Sequence, residues 1–169
     1  MGEGGSQADG EIAVGLSDLA SLCHLLNEGG VRYLVYGGLA CIIHGHTRTT
    51  MDADICVGED RDNITRALAV LARWGEGFAG ELTPDDVLEN VVVRIGEKIT
   101  VDLSCRLWKV DWNHAWNNRR LVTVAGVIVP VLCRLDLYRS KETYRERDRW
   151  DRDVLSGLTH PEPGRPADV

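Results

Sequence analysis

The stretch Tyr33–Val57, YLVYGGLACIIHGHTRTTMDADICV, decides how the rest of the chain is read. Tyr33–Tyr36 suits a buried strand, Gly37-Gly38 a turn, Leu39–Ile43 a short apolar segment and His44–Thr50 a polar loop. A second strand follows, carrying Asp52 and Asp54. Strand side chains repeat with period two and rise about 3.3 Å per residue, so both carboxylates emerge on one face, about 6 to 7 Å apart at their Cα atoms. Met51, Ala53, Ile55 and Val57 then point the other way. Paired acids beside a Gly-Gly turn point to a divalent metal holding a phosphate.

Neither Gly37 nor Gly38 has a Cβ, so the backbone there can approach a ligand, and a turn of helix after them would offer unpaired N–H groups. The pair matches neither GxGxxG nor GxxxxGK[ST], and an ordinary tight turn is the competing reading. In the loop between, Arg48 offers a planar fork suited to phosphate or to orienting an acid, while Thr49 and Thr50 offer hydroxyls to ligand or backbone. His44 and His46 lack a clear third metal ligand and read as loop structure or substrate contacts. Further on, Val87–Ile95 and Lys98–Leu103 read as two strands across Gly96-Glu97, and the second carries a third acid, Asp102, between Val101 and Leu103. If that strand lies beside the first acidic one, the three carboxylates complete a metal site.

Around this centre the periodicities predict a helix through Leu16, Leu19, Cys23 and Leu26, with Ser17 as its cap and Gly29-Gly30 as its end. Asp60 caps a second predicted helix from Arg61 to about Trp74, with Ile64, Ala67, Leu68 and Leu71 inward. Leu82–Asp86 reads as a connection whose acids serve as turn or cap residues. Trp108, Trp112 and Trp116 fall at i, i+4 and i+8, which on a helix gives one aromatic stripe, a core or interface face. Arg119–Ala125 and Val127–Leu132 form a hairpin about Gly126, with Pro130 placing the second strand near an edge or its own end. The polar run Leu135–Leu158 is predicted as one long helix shared between buried and functional residues, among them Lys141, Asp148 and Asp151. Lys141 reads either as a ligand of polyphosphate or as a surface ion-pair partner.

Composition bounds the function. At 169 residues the chain has room for one sizeable core, and its 44% apolar and 27% charged residues are those of a soluble globular protein. No apolar run nears the roughly 20 residues of a membrane helix, and the first residues lack the basic-then-apolar order of a secretory signal. A cytoplasmic address is the expectation, with residues 1–15 a flexible leader and 159–169 a flexible tail. Five isolated cysteines without CxxC spacing read as small buried thiols rather than a disulfide scaffold. A net charge of -7 argues against general nucleic-acid coating, although 16 Arg against 3 Lys leaves room for a local basic groove.

Gly37-Gly38, Arg48-Thr49-Thr50, Asp52-Ala53-Asp54 and Val101-Asp102-Leu103 together resemble the nucleotidyltransferase superfamily of the DNA polymerase beta type. The likeness is greatest to its small bacterial and archaeal branch, which includes antibiotic-modifying and toxin-antitoxin-associated members. LDLYRSKETYRERDRWDRDVL is similar to the Lys- and Asp-bearing terminal helix of those proteins, and the resemblance spans residues 16–158 as one domain. It implies an α/β (α+β) fold, a mixed central β-sheet with packed helices and a long C-terminal helix. It also implies Asp52, Asp54 and Asp102 as metal ligands and catalytic residues, with Gly37, Gly38, Arg48, Thr50 and Lys141 at the nucleotide. Gly38 stands where many relatives carry Ser, which removes one hydroxyl donor to phosphate.

The activity expected from this resemblance is Mg2+-dependent transfer (Mn2+ as substitute) of a nucleoside monophosphate from an NTP, with ATP the default donor. The acceptor is expected to be a hydroxyl, in a small molecule such as an aminoglycoside or lincosamide; an RNA or protein acceptor stays open, as does a homodimer. A noncatalytic nucleotide- or partner-binding protein, such as a toxin-antitoxin component or adaptor, is the alternative. Phosphate hydrolysis is a third reading, but no water-activating base is defined for it.

Overall fold

The structure, a computed structural model, describes residues 13–96 and 98–157. The expectations for residues 1–12 and 158–169, and for the turn at Glu97, lie outside the described residues. Six strands, β1 (Tyr33–Tyr36), β2 (Asp52–Val57), β3 (Val93–Gly96), β4 (Thr100–Ser104), β5 (Arg120–Val124) and β6 (Val127–Val131), form one sheet in the order β3-β4-β2-β1-β6-β5. β2 runs antiparallel to β1 and parallel to β4, β3 is antiparallel to β4, and β6 is parallel to β1 and antiparallel to β5. This is the mixed α/β architecture expected of a nucleotidyltransferase-like fold, with its sheet, packed helices and C-terminal helix.

The helices are α1 (Leu16–Glu28), α2 (Gly37–Ile43), α3 (Arg61–Trp74), α4 (Pro84–Glu89), α5 (Trp112–Asn117), α6 (Arg134–Ser140) and α7 (Glu146–Gly157). α1 and α3 pack on each other and against β6 and β2. Leu19, Leu22 and Leu26 of α1 meet Leu34, Ile55, Ile64, Leu71 and Leu103 in a core where each is essentially fully buried. Each such side chain contributes roughly 1.5–3 kcal/mol of burial. The Asp60 carboxylate accepts the Asp62 N–H and starts α3 at Arg61, as the sequence predicts. α1 starts one residue before the predicted Ser17 cap position, with Gly15 as its N-cap and the Asp18 carboxylate accepting the Gly15 N–H. All five cysteines are free, and four are buried. Among the described residues no helix is long and apolar enough to cross a membrane.

Three local expectations are corrected. Val87–Leu88 is helical rather than strand, because Thr83 and Asp86 close a reciprocal capping box and Pro84 sits at the first helical position of α4. Only Val93–Gly96 remains as strand. Trp108 lies outside the aromatic helix: Asp111 caps α5 by accepting the His114 N–H, so only Trp112 and Trp116 share a face, stacked at 5.7 Å. The terminal run is two helices, not one, since Thr143 Oγ1 accepts the Arg145 N–H and holds a turn between α6 and α7. Pro130 stands near the end of its strand, one of the two places expected for it, and β6 is an interior strand. β1 and β6 pair only at Val35 and Val131, so the missing N–H of Pro130 breaks no bond in that ladder.

Candidate active site

Four strands each contribute one residue to a row across the sheet. Tyr36 of β1 is the partner of Asp54 on β2, Asp54 of Asp102 on β4, and Asp102 of Arg94 on β3. Partners in register share a face at a strand spacing of about 4.8 Å, so the row is a continuous strip of side chains. Asp52, two residues before Asp54, stands on the same face with Thr100 as its partner. β4 lies beside β2, so the three acids share one face of two adjacent strands. Tyr36 closes one end of the strip, its hydroxyl 3.2 Å from Ser104 Oγ.

The charges in this row are unequal. Burial and the neighbouring Asp102 carboxylate push the Asp54 pKa up to about 7; Lys141 and the Gly38 N–H pull it down, and Asp52 adds to the rise. Its hydrogen bond is a long one, from the Gly38 N–H at 3.4 Å. Asp102, by contrast, is gripped by Arg94, whose Nε and Nη2 donate to its two oxygens at 2.8 Å each. Nη2 also lies 3.4 Å from Asp52 Oδ2. Among the described residues no group of three His, Cys, Asp or Glu side chains converges to hold a metal ion.

Two glycines fit the chain tightly around the acids. Gly37 has φ +65, and a Cβ there would stand 2.0 Å from Asp54 Oδ2. A Cβ on Gly38 would stand 2.6 Å from Thr50 Oγ1, so the space that a Ser side chain would need at position 38 is filled by Thr50. Thr50 is buried and its hydroxyl donates to the Asp52 carbonyl at 3.3 Å. The residues predicted at the nucleotide thus include three that shape the backbone beside Asp52 and Asp54.

Arg48 and Lys141 meet in a second, buried cluster. Asp151 of α7, wholly buried, accepts from Arg48 Nη1 at 2.7 and 2.6 Å and from Lys141 Nζ at 2.9 Å. Burial works against the Asp151 charge, but Lys141 and Arg48 prevail and hold its pKa below the usual carboxylate range. Lys141 Nζ also lies 3.3 Å from Asp148 Oδ1, and Thr143 donates to the other oxygen of Asp148. The Arg48 side chain is 4% exposed and that of Lys141 12%, so Arg48 ties the polar loop to α7 while Lys141 reaches the edge of the site and acts on Asp54. His44 Nε2 donates to the Leu132 carbonyl at 2.8 Å, and burial lowers its pKa. His46 packs edge-on against Trp150, its Nε2 3.2 Å from Asp151 Oδ1. Both histidines are engaged with the protein, as loop structure.

Arg94 is the residue the sequence reading overlooked, although the alternation Val93-Arg94-Ile95 already turns it to the opposite face from its apolar neighbours. Asp148 and Asp151 were legible only as polar residues on a shared helix. The spacing Asp148, Asp151, Leu155 marks them as part of its buried stripe. A cavity of about 440 Å³, lined by Arg32, Gly58, Asp60, Arg106 and Trp112 among others, opens beyond the far end of β2 and contains none of the acids of the row.

No family model matches the chain, and no curated protein matches it. Among solved structures it is similar to the lincosamide antibiotic adenylyltransferase LnuA in its lincomycin-bound form, with 14% identity and a TM-score of 0.58 over 88% of this chain and 100% of that one. It is also similar to an antigenic nucleotidyltransferase-like protein from Paracoccidioides brasiliensis, with 16% identity and a TM-score of 0.51 over 83% of this chain and 74% of that one. The chain has the fold of the nucleotidyltransferase-like proteins.

Proposed function

We propose that the protein is a metal-dependent nucleotidyltransferase that moves a nucleoside monophosphate from an NTP to a hydroxyl of a small molecule. The observation that carries this reading is the register of β2 and β4, which sets Asp52, Asp54 and Asp102 on one face of adjacent strands. Three carboxylates with oxygen donors suit a hard divalent cation, and Asp54, its pKa pushed up to about 7, lacks a cationic hydrogen-bond partner among the described residues. When bound there, Mg2+ or Mn2+ would supply positive charge at the phosphates and lower the pKa of a nearby hydroxyl.

The chain's own groups divide the remaining work. Asp52, Asp54 and Asp102 would hold the cation, and Gly37 and Gly38 keep Cβ atoms out of the space beside Asp54 and Thr50. Lys141, at the edge of the buried cluster, offsets phosphate charge, while Arg48 with Asp151 and Thr50 with the Asp52 carbonyl fix the loop that carries the acids. In the transfer the acceptor oxygen forms a bond to the α-phosphorus. The bond from that phosphorus to the bridging oxygen breaks, pyrophosphate leaves with its electron pair, and the hydroxyl proton passes to Asp102. ATP is the proposed donor and a lincosamide-like polyol the first acceptor to try, supported by the likeness to LnuA over that chain's whole length.

A noncatalytic nucleotide-binding protein is the competing reading, and the grip of Arg94 on Asp102 and Asp52 favours it, since an ion pair then stands where a cation is required. Asp52→Asn separates the two. Transfer predicts pyrophosphate release by the wild type that falls at least tenfold in the variant, together with weaker Mg2+ binding. Nucleotide binding with no pyrophosphate release from either protein, across all four NTPs and a hydroxyl acceptor panel, supports the binding protein.

A further inference from the structure

Arg94 has no part in the function proposed so far, yet it holds two of the three acids on which that function depends. It sits on β3, an edge strand, with its side chain 63% exposed. Among the described residues its side-chain hydrogen bonds go to Asp102, twice, and to Asp52. A fork of this kind takes both oxygens of Asp102, the same lone pairs that a cation would need. The Arg94 end of these pairs is in solvent and the Asp52 carboxylate is partly so, whereas the Asp102 side chain is 11% exposed, so the guanidinium leaves at little cost only when another cation takes its place on Asp102. Among the described residues, Arg48 is sealed against Asp151 and Lys141 is shared by Asp148 and Asp151, whereas Arg94 stands largely in solvent.

We propose that Arg94 is an exchangeable counter-ion: it pairs with Asp52 and Asp102 when the site is empty, and yields them to a divalent cation and turns to the incoming polyphosphate. This rests on the reading of Asp52, Asp54 and Asp102 as cation ligands. The exchange explains two features together. With Arg94 paired to Asp52 and Asp102, the metal-free protein does not carry the full repulsion of three acids on one face, and one guanidinium bridges two carboxylates that lie on adjacent strands.

The exchange has a signature with opposite signs. Mn2+ is titrated into the full chain without nucleotide, following the free-ion electron paramagnetic resonance signal, for the wild type, Arg94→Gln, Arg94→Lys and Asp52→Asn. The affinity of each for inorganic tripolyphosphate is then measured with Mn2+ at saturation. Arg94→Gln is expected to bind Mn2+ about three- to tenfold more tightly, the scale on which releasing exposed ion pairs acts. The same variant should bind tripolyphosphate several-fold more weakly, with Arg94→Lys intermediate in both. An unchanged or weakened Mn2+ affinity in Arg94→Gln overturns the exchange, as does an unchanged tripolyphosphate affinity. If neither wild type nor Arg94→Gln binds Mn2+, or if Asp52→Asn binds it like the wild type, the carboxylates hold no cation and the functional reading falls together with the exchange.

Discussion

Asp54 and Asp102 are Cα partners across the parallel strands β2 and β4, and this pairing, added to burial, holds Asp54 at a pKa of about 7. Two carboxylates side by side in a half-buried strip are unfavourable for the empty fold. Such an arrangement persists where something else neutralises it, and here the neutralising partners are Arg94 for Asp102 and, in the proposed function, a divalent cation for Asp54.

The first prediction follows from the sign of that shift. A carboxyl whose pKa is higher in the folded than in the unfolded chain favours folding below the unfolded value near 3.9, and this contribution is lost as pH rises through about 7. Metal-free wild type should therefore be penalised at pH 8 relative to pH 5, whereas Asp54→Asn, which cannot ionise, should be the more stable protein at pH 8. A shift of roughly three units sets a ceiling of about 4 kcal/mol on the difference. Urea unfolding in EDTA at both pH values measures it, and equal losses of stability in the two proteins between pH 5 and pH 8 would contradict the assignment.

A second prediction concerns Asp151. Its replacement by Asn leaves Arg48 and Lys141 in a buried cluster without their shared counter-charge, a change that typically costs about 3–5 kcal/mol. The loss should appear as early unfolding in urea. Because Arg48 anchors the loop before β2, it should be accompanied by faster amide exchange at Thr49 and Thr50. A stability within 1 kcal/mol, roughly the worth of a surface pair, would show that the cluster is not the clamp described here.

A third prediction runs against the family pattern. Gly38→Ser restores the residue common among the relatives that the sequence resembles, yet its Cβ would stand 2.6 Å from Thr50 Oγ1 and 2.8 Å from Thr50 Cβ. The variant should lose roughly 1–3 kcal/mol through overpacking. Adding Thr50→Gly should recover part of that loss in a double-mutant cycle. Additive effects in thermal unfolding would mean that the two side chains do not compete for one space.

The parts of the molecule legible in the sequence were those fixed by local periodicity. The alternation of Asp52 and Asp54 with Ala53 and Ile55, the inward stripe of α3 and the cap at Asp60 are each set within a few residues, and the structure follows them. The adjacency of β2 and β4 was only a condition, because pairing between distant strands leaves no local mark. Where the reading failed, a capping interaction outweighed a pattern. Thr83 with Asp86 turned a predicted strand into α4, Asp111 set the start of α5 after Trp108, and Thr143 divided the terminal helix. Arg94 was missed because its partners are 8 and 42 residues away in sequence, and an arginine on an exposed strand face has no local signature of function.

The most direct measurement is the mass of the product formed when the purified protein is given ATP, Mg2+ and a panel of hydroxyl acceptors that includes a lincosamide. Transfer gives an acceptor heavier by one nucleoside monophosphate, absent with EDTA and lost in Asp54→Asn. A product that forms equally well in Asp54→Asn, or ATP bound with no adduct on any acceptor and no pyrophosphate released, would contradict it.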